Sequence, residues 1–169
     1  MITILRLSHR LPRDSRVTTH VALVARAFGA DNLVYSGQKD KSFEDSVKSL
    51  VNRFGGKFLV EYVKNPFNYL KEKSKIVNLS VYGIPLQKKI KEIKKIKNLI
   101  IIVGSEKVPI EYYKIADYNI SITSQPHSEV AALAIFLHEY FSGKEFNKEF
   151  ENAKIKIIPN QKGKFKSRM

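Results

Sequence analysis

A group of basic side chains follows the first apolar run of this chain. The group comprises Arg6, His9, Arg10, Arg13, Arg16 and His20. Residues 2–7 predict a buried strand, so the group starts at the carboxyl end of that strand and continues through a loop that Pro12 and Asp14 interrupt. Guanidinium groups bind phosphate oxygens in pairs, and loops on the ligand side of a sheet carry sites more often than packing. We therefore predict a phosphate-binding site here, in preference to a merely solvated loop.

Two polar loops follow two further apolar runs. Leu99–Val103 ends at Gly104, and residues 118–122 end at a polar stretch, 123–129, that leads directly into the apolar residues 130–136. In an open α/β sheet the ligand binds beyond the carboxyl ends of the strands. Glycine lets the backbone approach a ligand, and a helix N-terminus offers free N–H groups. The two loops predict a binding site, although each one alone is also typical of an ordinary strand-to-helix turn.

The remaining pattern supplies the elements that would position these loops. Strands are predicted at residues 2–7, 33–35, 58–62, 76–81, 99–103 and 118–122. Helices are predicted at 19–28, from a capping box at Ser42 to Phe54, from Asn65 to Lys73, at 86–96, and from Pro126 in a first turn to Tyr140. This alternation favours one α/β domain with a parallel sheet over residues 1–158. Residues 155–158 are either a last strand or a segment that packs on a partner subunit, and 159–169 are expected to form a mobile basic tail.

Composition limits the class of protein. The 169 residues include no cysteine, which excludes disulfides, thiolate catalysis and cysteine-bound metal. The four histidines show no metal-ligand spacing, so we predict no metal. No apolar run approaches the ~20 residues of a membrane span, and the N-terminus lacks the pattern of a secretory signal. We therefore expect a soluble cytoplasmic protein.

The net charge points to the class of partner. Thirty Lys and Arg residues against sixteen Asp and Glu residues give +14. Such a surface attracts phosphate polymers, and the basic residues are clustered, so we predict a nucleic-acid partner. A lysine run at Lys88, Lys89, Lys91, Lys94, Lys95 and Lys97 is more simply the solvated face of an amphipathic helix, with RNA steering as the alternative.

The common catalytic and nucleotide-binding motifs are absent from the sequence. It contains no GxxxxGK[ST], GxGxxG, HExxH or GxSxG pattern. An ordinary nucleotide-triphosphate or dinucleotide site and a zinc protease site are therefore not predicted.

Three segments, in order along the chain, resemble the archaeal tRNA cytidine-56 2′-O-methyltransferases. They are residues 6–30, containing RLSHR and RDSRVTTHVALVARAFGA; residues 101–109, IIVGSEKVP; and residues 116–134, containing ADYNI and QPHSEVAALA. The segment AKIKIIP at 153–159 is similar to the family's C-terminal segment. The resemblance implies a SPOUT-class methyltransferase: a Rossmann-like parallel sheet with a C-terminal trefoil knot, acting as a homodimer on the T loop of tRNA.

The resemblance also implies where S-adenosylmethionine binds. By matching position, the implied contacts are Leu79, Gly104, Ser105, Glu106, Lys107, Val108, Ile122, Thr123, Ser124, Gln125, Pro126, His127, Ser128 and Glu129. Most of them belong to the two loops that the strand ends indicate independently.

The catalytic arginine does not transfer from the broader class of ribose methyltransferases. Matching that class at Gly29 places Val17 and Leu23 where it has an asparagine and a helix-borne arginine. Arg16 is therefore the candidate catalytic residue, with Arg10, Arg13 and His20 as helpers or RNA contacts. Two other hypotheses remain open: a non-catalytic basic RNA-binding protein, and a methyltransferase that acts on another RNA nucleotide.

Overall fold

A six-stranded parallel sheet organises the protein in the computed structural model, which describes residues 1–71, 74–105 and 107–168. The strands are β1 (Ile2–His9), β2 (Asn32–Gly37), β3 (Leu59–Tyr62), β4 (Lys75–Pro85), β5 (Leu99–Val103) and β6 (Tyr118–Ser121). The helices are α1 (Ser15–Ala27), α2 (Lys41–Phe54), α3 (Pro66–Tyr69), α4 (Leu86–Ile93), α5 (Ile110–Ile115) and α6 (Glu129–Phe141). The strand order is β3-β2-β1-β5-β4-β6, so the predicted parallel α/β fold is confirmed.

Both faces of the sheet are covered, which explains the continuous apolar runs in its central strands. Every residue of β5 is buried. Ile4 and Ile101 contribute to the larger core, with residues of α1, α2, α4 and α6, whereas Leu5 and Ile102 contribute to a smaller core near α5. The alternation between cores follows from the two-residue period of a strand. The carboxyl ends of β1, β4 and β5 are thereby held close together.

Several helix boundaries differ from those predicted. Helix α1 begins at Ser15 instead of residue 19. Helix α2 is capped by Asp40, whose carboxylate accepts a hydrogen bond from the Phe43 amide at 3.0 Å, so the capping box predicted at Ser42 is wrong. Helix α4 ends at Ile93 instead of residue 96. The predicted end of the third helix at Lys73 lies outside the described residues.

The start of α6 is also displaced from the prediction. Ser128 is its N-cap, and the Ser128 hydroxyl accepts a hydrogen bond from the Val130 amide at 3.1 Å. Pro126 therefore precedes the helix and is not in its first turn. A side-chain oxygen that accepts from a first-turn amide satisfies one of the free donors at a helix start, and serine does so readily.

Strand β4 pairs with β6 along two stretches. Ile120 of β6 is aligned with both Leu79 and Ile84 of β4, and the pairing shifts register between those two residues. Gly83 lies directly against the backbone of Asn119 and Ile120, where any Cβ would overlap. The backbones of β4 and β6 are therefore in close contact at this place, and the trefoil knot stays a prediction.

The C-terminal segment forms a hairpin. Strands β7 (Ile155–Ile158) and β8 (Phe165–Arg168) pair antiparallel. The predicted last strand is therefore present, and the segment expected to be a mobile arm supplies the second strand. Cross-strand pairs such as Ile158 opposite Phe165 stabilise this hairpin, whereas the basic sequence alone does not predict an ordered structure. In the part of the chain that is described, no helix is long and apolar enough to cross a membrane.

Candidate functional site

A cavity of about 350 Å³ opens at the carboxyl ends of β4, β5 and β6. Its apolar wall includes Leu79, Val103, Ile120, Ile122 and Ala132. Its polar lining includes Ser80, Ser105, Lys107, His127 and Glu129. An apolar wall with a few polar groups is the composition that small-molecule sites usually have, and the volume lies within their usual range.

The cavity brings together much of the predicted cofactor set. Among that set, Leu79, Gly104, Ser105, Lys107, Val108, Ile122, His127 and Glu129 line it. The other described members, Thr123, Ser124, Gln125, Pro126 and Ser128, lie in the same loop outside the lining. Glu106 lies outside the described residues. The Thr123 hydroxyl accepts from the Gln125 amide at 3.0 Å, so this loop is partly held by its own side chains.

Arg6 connects the cavity loops. It belongs to the predicted phosphate-binding group and not to the predicted cofactor set, but its buried side chain is bonded within the protein. Its side chain is fully buried at the end of β1. It donates a hydrogen bond from Nη1 to the Gly104 carbonyl and one from Nη2 to Glu129 Oε1, the latter at 3.1 Å. Both acceptors line the cavity. One feature of the sequence indicates this role: Arg6 lies inside the apolar run of a central strand, where a charged side chain must have buried partners.

A second missed pair lies on the cavity wall. The hydroxyls of Ser80 and Tyr113 are 2.7 Å apart, and both residues line the cavity. No motif in the sequence connects β4 with α5, so this contact could be found only from the fold.

The basic loop after β1 is anchored by a buried polar network. His9 is buried, with Nδ1 2.8 Å from the Thr18 hydroxyl and Nε2 3.3 Å from Asp40 Oδ2. Ser15 donates to the same Asp40 oxygen at 3.2 Å. Burial alone would raise the pKa of Asp40, but hydrogen bonds from the Phe43 amide, Ser15 and His9 hold it below its ordinary value. His9 is thus a packed anchor, in contrast to the exposed members of the cluster.

Asp14 also holds the basic loop in place, through hydrogen bonds to Arg10. Its carboxylate accepts from the Arg10 side chain at 3.0 Å and from the Arg10 amide at 3.2 Å. Burial would raise the pKa of Asp14, but these bonds, together with the charges of Arg10 and Arg6, lower it. The candidate helper Arg10 is therefore partly committed to holding the loop.

The other candidate residues lie on the surface. Arg13, Arg16 and His20 are exposed, and Arg16 and His20 are one helical turn apart on α1. That spacing places them on the same side of the helix, facing solvent. Their catalytic or RNA-binding roles stay predictions.

Comparison with solved structures defines the class of fold. The A. aeolicus TrmH/SpoU tRNA modifying enzyme superposes with a TM-score of 0.63 at 19% sequence identity, over 86% of this chain and 76% of that one. The SpoU methyltransferase AviRb from Streptomyces viridochromogenes, solved in complex with AdoMet, gives 0.62 at 15% identity, over 85% of this chain and 57% of that one. The fold is that of the SpoU (SPOUT) methyltransferases.

Sequence comparison then gives the family. The family model described as tRNA ribose 2′-O-methyltransferase, aTrm56, matches residues 54–166. This chain is 48% identical to the tRNA (cytidine(56)-2′-O)-methyltransferase of Thermococcus kodakarensis, covering 97% of this chain and 95% of that protein. It is 53% identical to the enzyme of the same name from Picrophilus torridus, but spans only 48% of that protein's length. The chain belongs to the tRNA ribose 2′-O-methyltransferase family aTrm56.

Proposed function

We propose that this chain transfers a methyl group from S-adenosylmethionine to the ribose 2′-hydroxyl of cytidine 56 in the T loop of tRNA. The observation that carries the proposal is the placement of the cavity between the loops after β5 and β6. Arg6 connects these loops to β1, the strand that leads into the basic loop. A donor site and a phosphate-binding loop then share one edge of the sheet.

The cavity residues fit S-adenosylmethionine. The side chains of Leu79, Ile120 and Ile122 offer an apolar surface for a purine ring, and hydroxyl and charged groups line the remainder for the ribose and amino-acid parts. When bound, S-adenosylmethionine supplies a methyl group on a positively charged sulfur that a nucleophilic oxygen can attack.

Arg16 is the residue to which we assign the phosphate or the developing oxyanion of the target ribose. An arginine side chain stays protonated near neutral pH, so it is suited to binding negative charge and not to removing the hydroxyl proton. Holding two reactants in line lowers a barrier by ~7–11 kcal/mol when the geometry is good. Positioning of the ribose is therefore the main contribution that we assign to Arg16, with Arg10, Arg13 and His20 supporting it or contacting RNA.

Exposed apolar side chains support a homodimer. Helix α6 is apolar on most sides, and yet its residue Ile135 is 45% exposed. Tyr82 of β4 is 86% exposed. We propose that these side chains belong to one contiguous apolar patch, the kind of surface that marks an interface, whereas single exposed apolar residues do not. We assign it to a second copy of the chain, and sedimentation equilibrium that found only monomers at micromolar concentrations would contradict this assignment.

The proposed reaction is tested by mapping a labelled methyl group. The protein is incubated with methyl-labelled S-adenosylmethionine and unmodified tRNA, which is then digested to nucleosides and fragments. Label on 2′-O-methylcytidine from the T loop supports the proposal. Label on another nucleotide would keep the donor and change the target. Binding of tRNA without any transfer would favour a non-catalytic RNA-binding protein.

A further inference from the structure

We propose that Arg6 is a positioning residue that holds the two loops of the methyl-donor cavity in their binding arrangement. This inference rests on the proposed function, because it takes S-adenosylmethionine as the ligand of the cavity. Arg6 belongs to the interior of the protein, so its role is exerted through the groups that it binds.

The geometry shows how one side chain can do this. The Arg6 guanidinium donates to the Gly104 carbonyl from one terminal nitrogen and to the Glu129 carboxylate from the other, at 3.1 Å. Gly104 begins the loop after β5, and Glu129 is the first residue of α6, after the loop that follows β6. Both line the cavity, on two loops that are far apart in sequence. A planar forked cation can bridge two such acceptors at once, whereas an ammonium group cannot reproduce the fork.

Arg6 is a buried cation whose charge is compensated by neighbouring carboxylates. Burial lowers the pKa of the Arg6 guanidinium, and the carboxylates of Glu129 and Asp14 act in the opposite direction. A buried cation is costly unless it is both paired and hydrogen-bonded. The side chain of Glu129 is 32% exposed, so its carboxylate lies between the buried guanidinium and the open side of the cavity.

A second contact attaches the same loop to β1. The Ser105 hydroxyl donates to the Ser8 carbonyl at 2.8 Å. The loop after β5 is therefore fixed to the end of β1 by two neighbouring residues, Gly104 through Arg6 and Ser105 through Ser8. Loss of the Arg6 contacts removes the tie to Glu129 and one of the two ties to the loop after β5. The hydrogen bonds of His9 and Asp14, which anchor the basic loop, do not involve Arg6 and stay in place.

The first test compares R6K with R26K. Arg26 is the matched control, because it is also a buried arginine whose pKa burial lowers, and it donates to two carbonyls, of Phe54 and Gly55, at the end of α2. Equilibrium binding of S-adenosylmethionine is measured by calorimetry, together with the melting temperature and with tRNA binding in the absence of the donor. We expect R6K to raise the dissociation constant for S-adenosylmethionine at least tenfold. R26K should lower the melting temperature with less than a twofold change in that constant.

The outcomes separate the two proposals. A wild-type protein that does not bind S-adenosylmethionine would overturn the proposed function. A wild-type protein that binds it while folded R6K binds equally well would overturn only the inference on Arg6. Equal weakening of S-adenosylmethionine binding by R6K and R26K would also overturn the inference on Arg6. The loss of affinity would then follow from changing any buried arginine. Binding of tRNA by folded R6K is expected to stay within twofold of the wild type.

A second set of variants tests whether Arg6 acts through Glu129, and supplies a test if R6K does not fold. E129A replaces a carboxylate whose side chain is 32% exposed by a space open to the cavity, where water can solvate the Arg6 guanidinium, so this variant is expected to fold. Hydrogen exchange of the amides of Ser105, Lys107 and Val108 should be faster in E129A, because Arg6 then loses one of the two acceptors that fix its guanidinium against the loop after β5. Where R6K folds, the R6K/E129A double variant should bind S-adenosylmethionine no more weakly than the weaker single variant. Unchanged exchange of these three amides, or fully additive losses of affinity, would contradict the inference.

Discussion

Arg16 lies in the first turn of α1 with an exposed side chain, just after the loop that Asp14 closes on Arg10. We expect R16A to reduce the rate of methyl transfer by about 10²–10³-fold, the usual cost of removing one donor to a developing oxyanion. Because the side chain is exposed, the free energy of unfolding should change by less than about 0.5 kcal/mol. Single-turnover transfer and thermal melting measure the two effects.

R53A is the control for Arg16, since Arg53 is an exposed arginine near the end of α2, away from the basic loop. Its rate of transfer should match the wild type. Full activity of R16A would remove Arg16 from the catalytic assignment and direct the same experiment to Arg10, Arg13 and His20.

Asp40 supplies a pH-dependent part of the stability. Its pKa is lower in the folded protein than the ~3.9 of an unfolded aspartate, so its stabilisation is complete above that value and is lost as the pH falls through the folded pKa. We expect wild type to be more stable than D40N by about 1–3 kcal/mol at pH 6, since charged hydrogen bonds to buried partners are lost. Urea unfolding should show this difference shrinking toward pH 3. A constant difference between pH 6 and pH 3 would show that the carboxylate's charge is not its cause.

At the scale of elements, the close approach of β4 and β6 depends on Gly83. A methyl group there would overlap the backbone of Asn119 and Ile120, so G83A must separate the two strands. We expect a loss of about 3 kcal/mol, the upper end of the usual cost of overpacking, because the clash is with backbone atoms that cannot turn away. The cavity should also be damaged, because Leu79 and Ile120 form its wall. G143A is the control: Gly143 has φ +76 but faces only a side-chain atom, at 3.6 Å, so left-handed strain of ~1–2 kcal/mol is expected. Equal melting temperatures for the two variants would contradict the close approach.

The same elements show what a sequence can and cannot predict. The strands were predictable because parallel strands covered on both faces give unbroken apolar runs, as in Leu99–Val103. Helix starts were less predictable: both Asp40 and Ser42 are good caps, and only the fold, which places Asp40 beside His9 and Ser15, decides between them.

The candidate site also has features that the sequence predicted and features that only the fold revealed. The cavity loops were predictable from strand ends, because parallel strands expose their carboxyl ends at one edge. The bridge from Arg6 to Gly104 and Glu129 was not, because it joins three segments that are distant in sequence. The second strand of the hairpin, β8, was also missed, since a basic, glycine-containing tail has little apolar periodicity of its own.

At the scale of the whole molecule, the charge of +14 predicts strongly salt-dependent binding of tRNA. The hairpin carries Lys162, Lys164, Lys166 and Arg168, all exposed. We expect the hairpin to contact tRNA phosphates through these four residues. Replacing them by glutamine should then reduce the slope of log Kobs against log salt by about 3, at ~0.7–0.9 per lost phosphate contact. The matched control replaces the exposed Lys88, Lys91, Lys94 and Lys95 near and on α4, which we interpret as a solvated face. Equal slopes for the two variants would contradict a specific contact through the hairpin.

The most direct test of the central claim uses two tRNA transcripts that differ by one oxygen atom. One carries cytidine at position 56 and the other 2′-deoxycytidine, with every other nucleotide identical. We predict that the protein transfers a labelled methyl group from S-adenosylmethionine to the first, at 2′-O of cytidine 56, and none to the second. Equal labelling of both transcripts would contradict the claim, because the methyl group would then be attached to another position of the RNA.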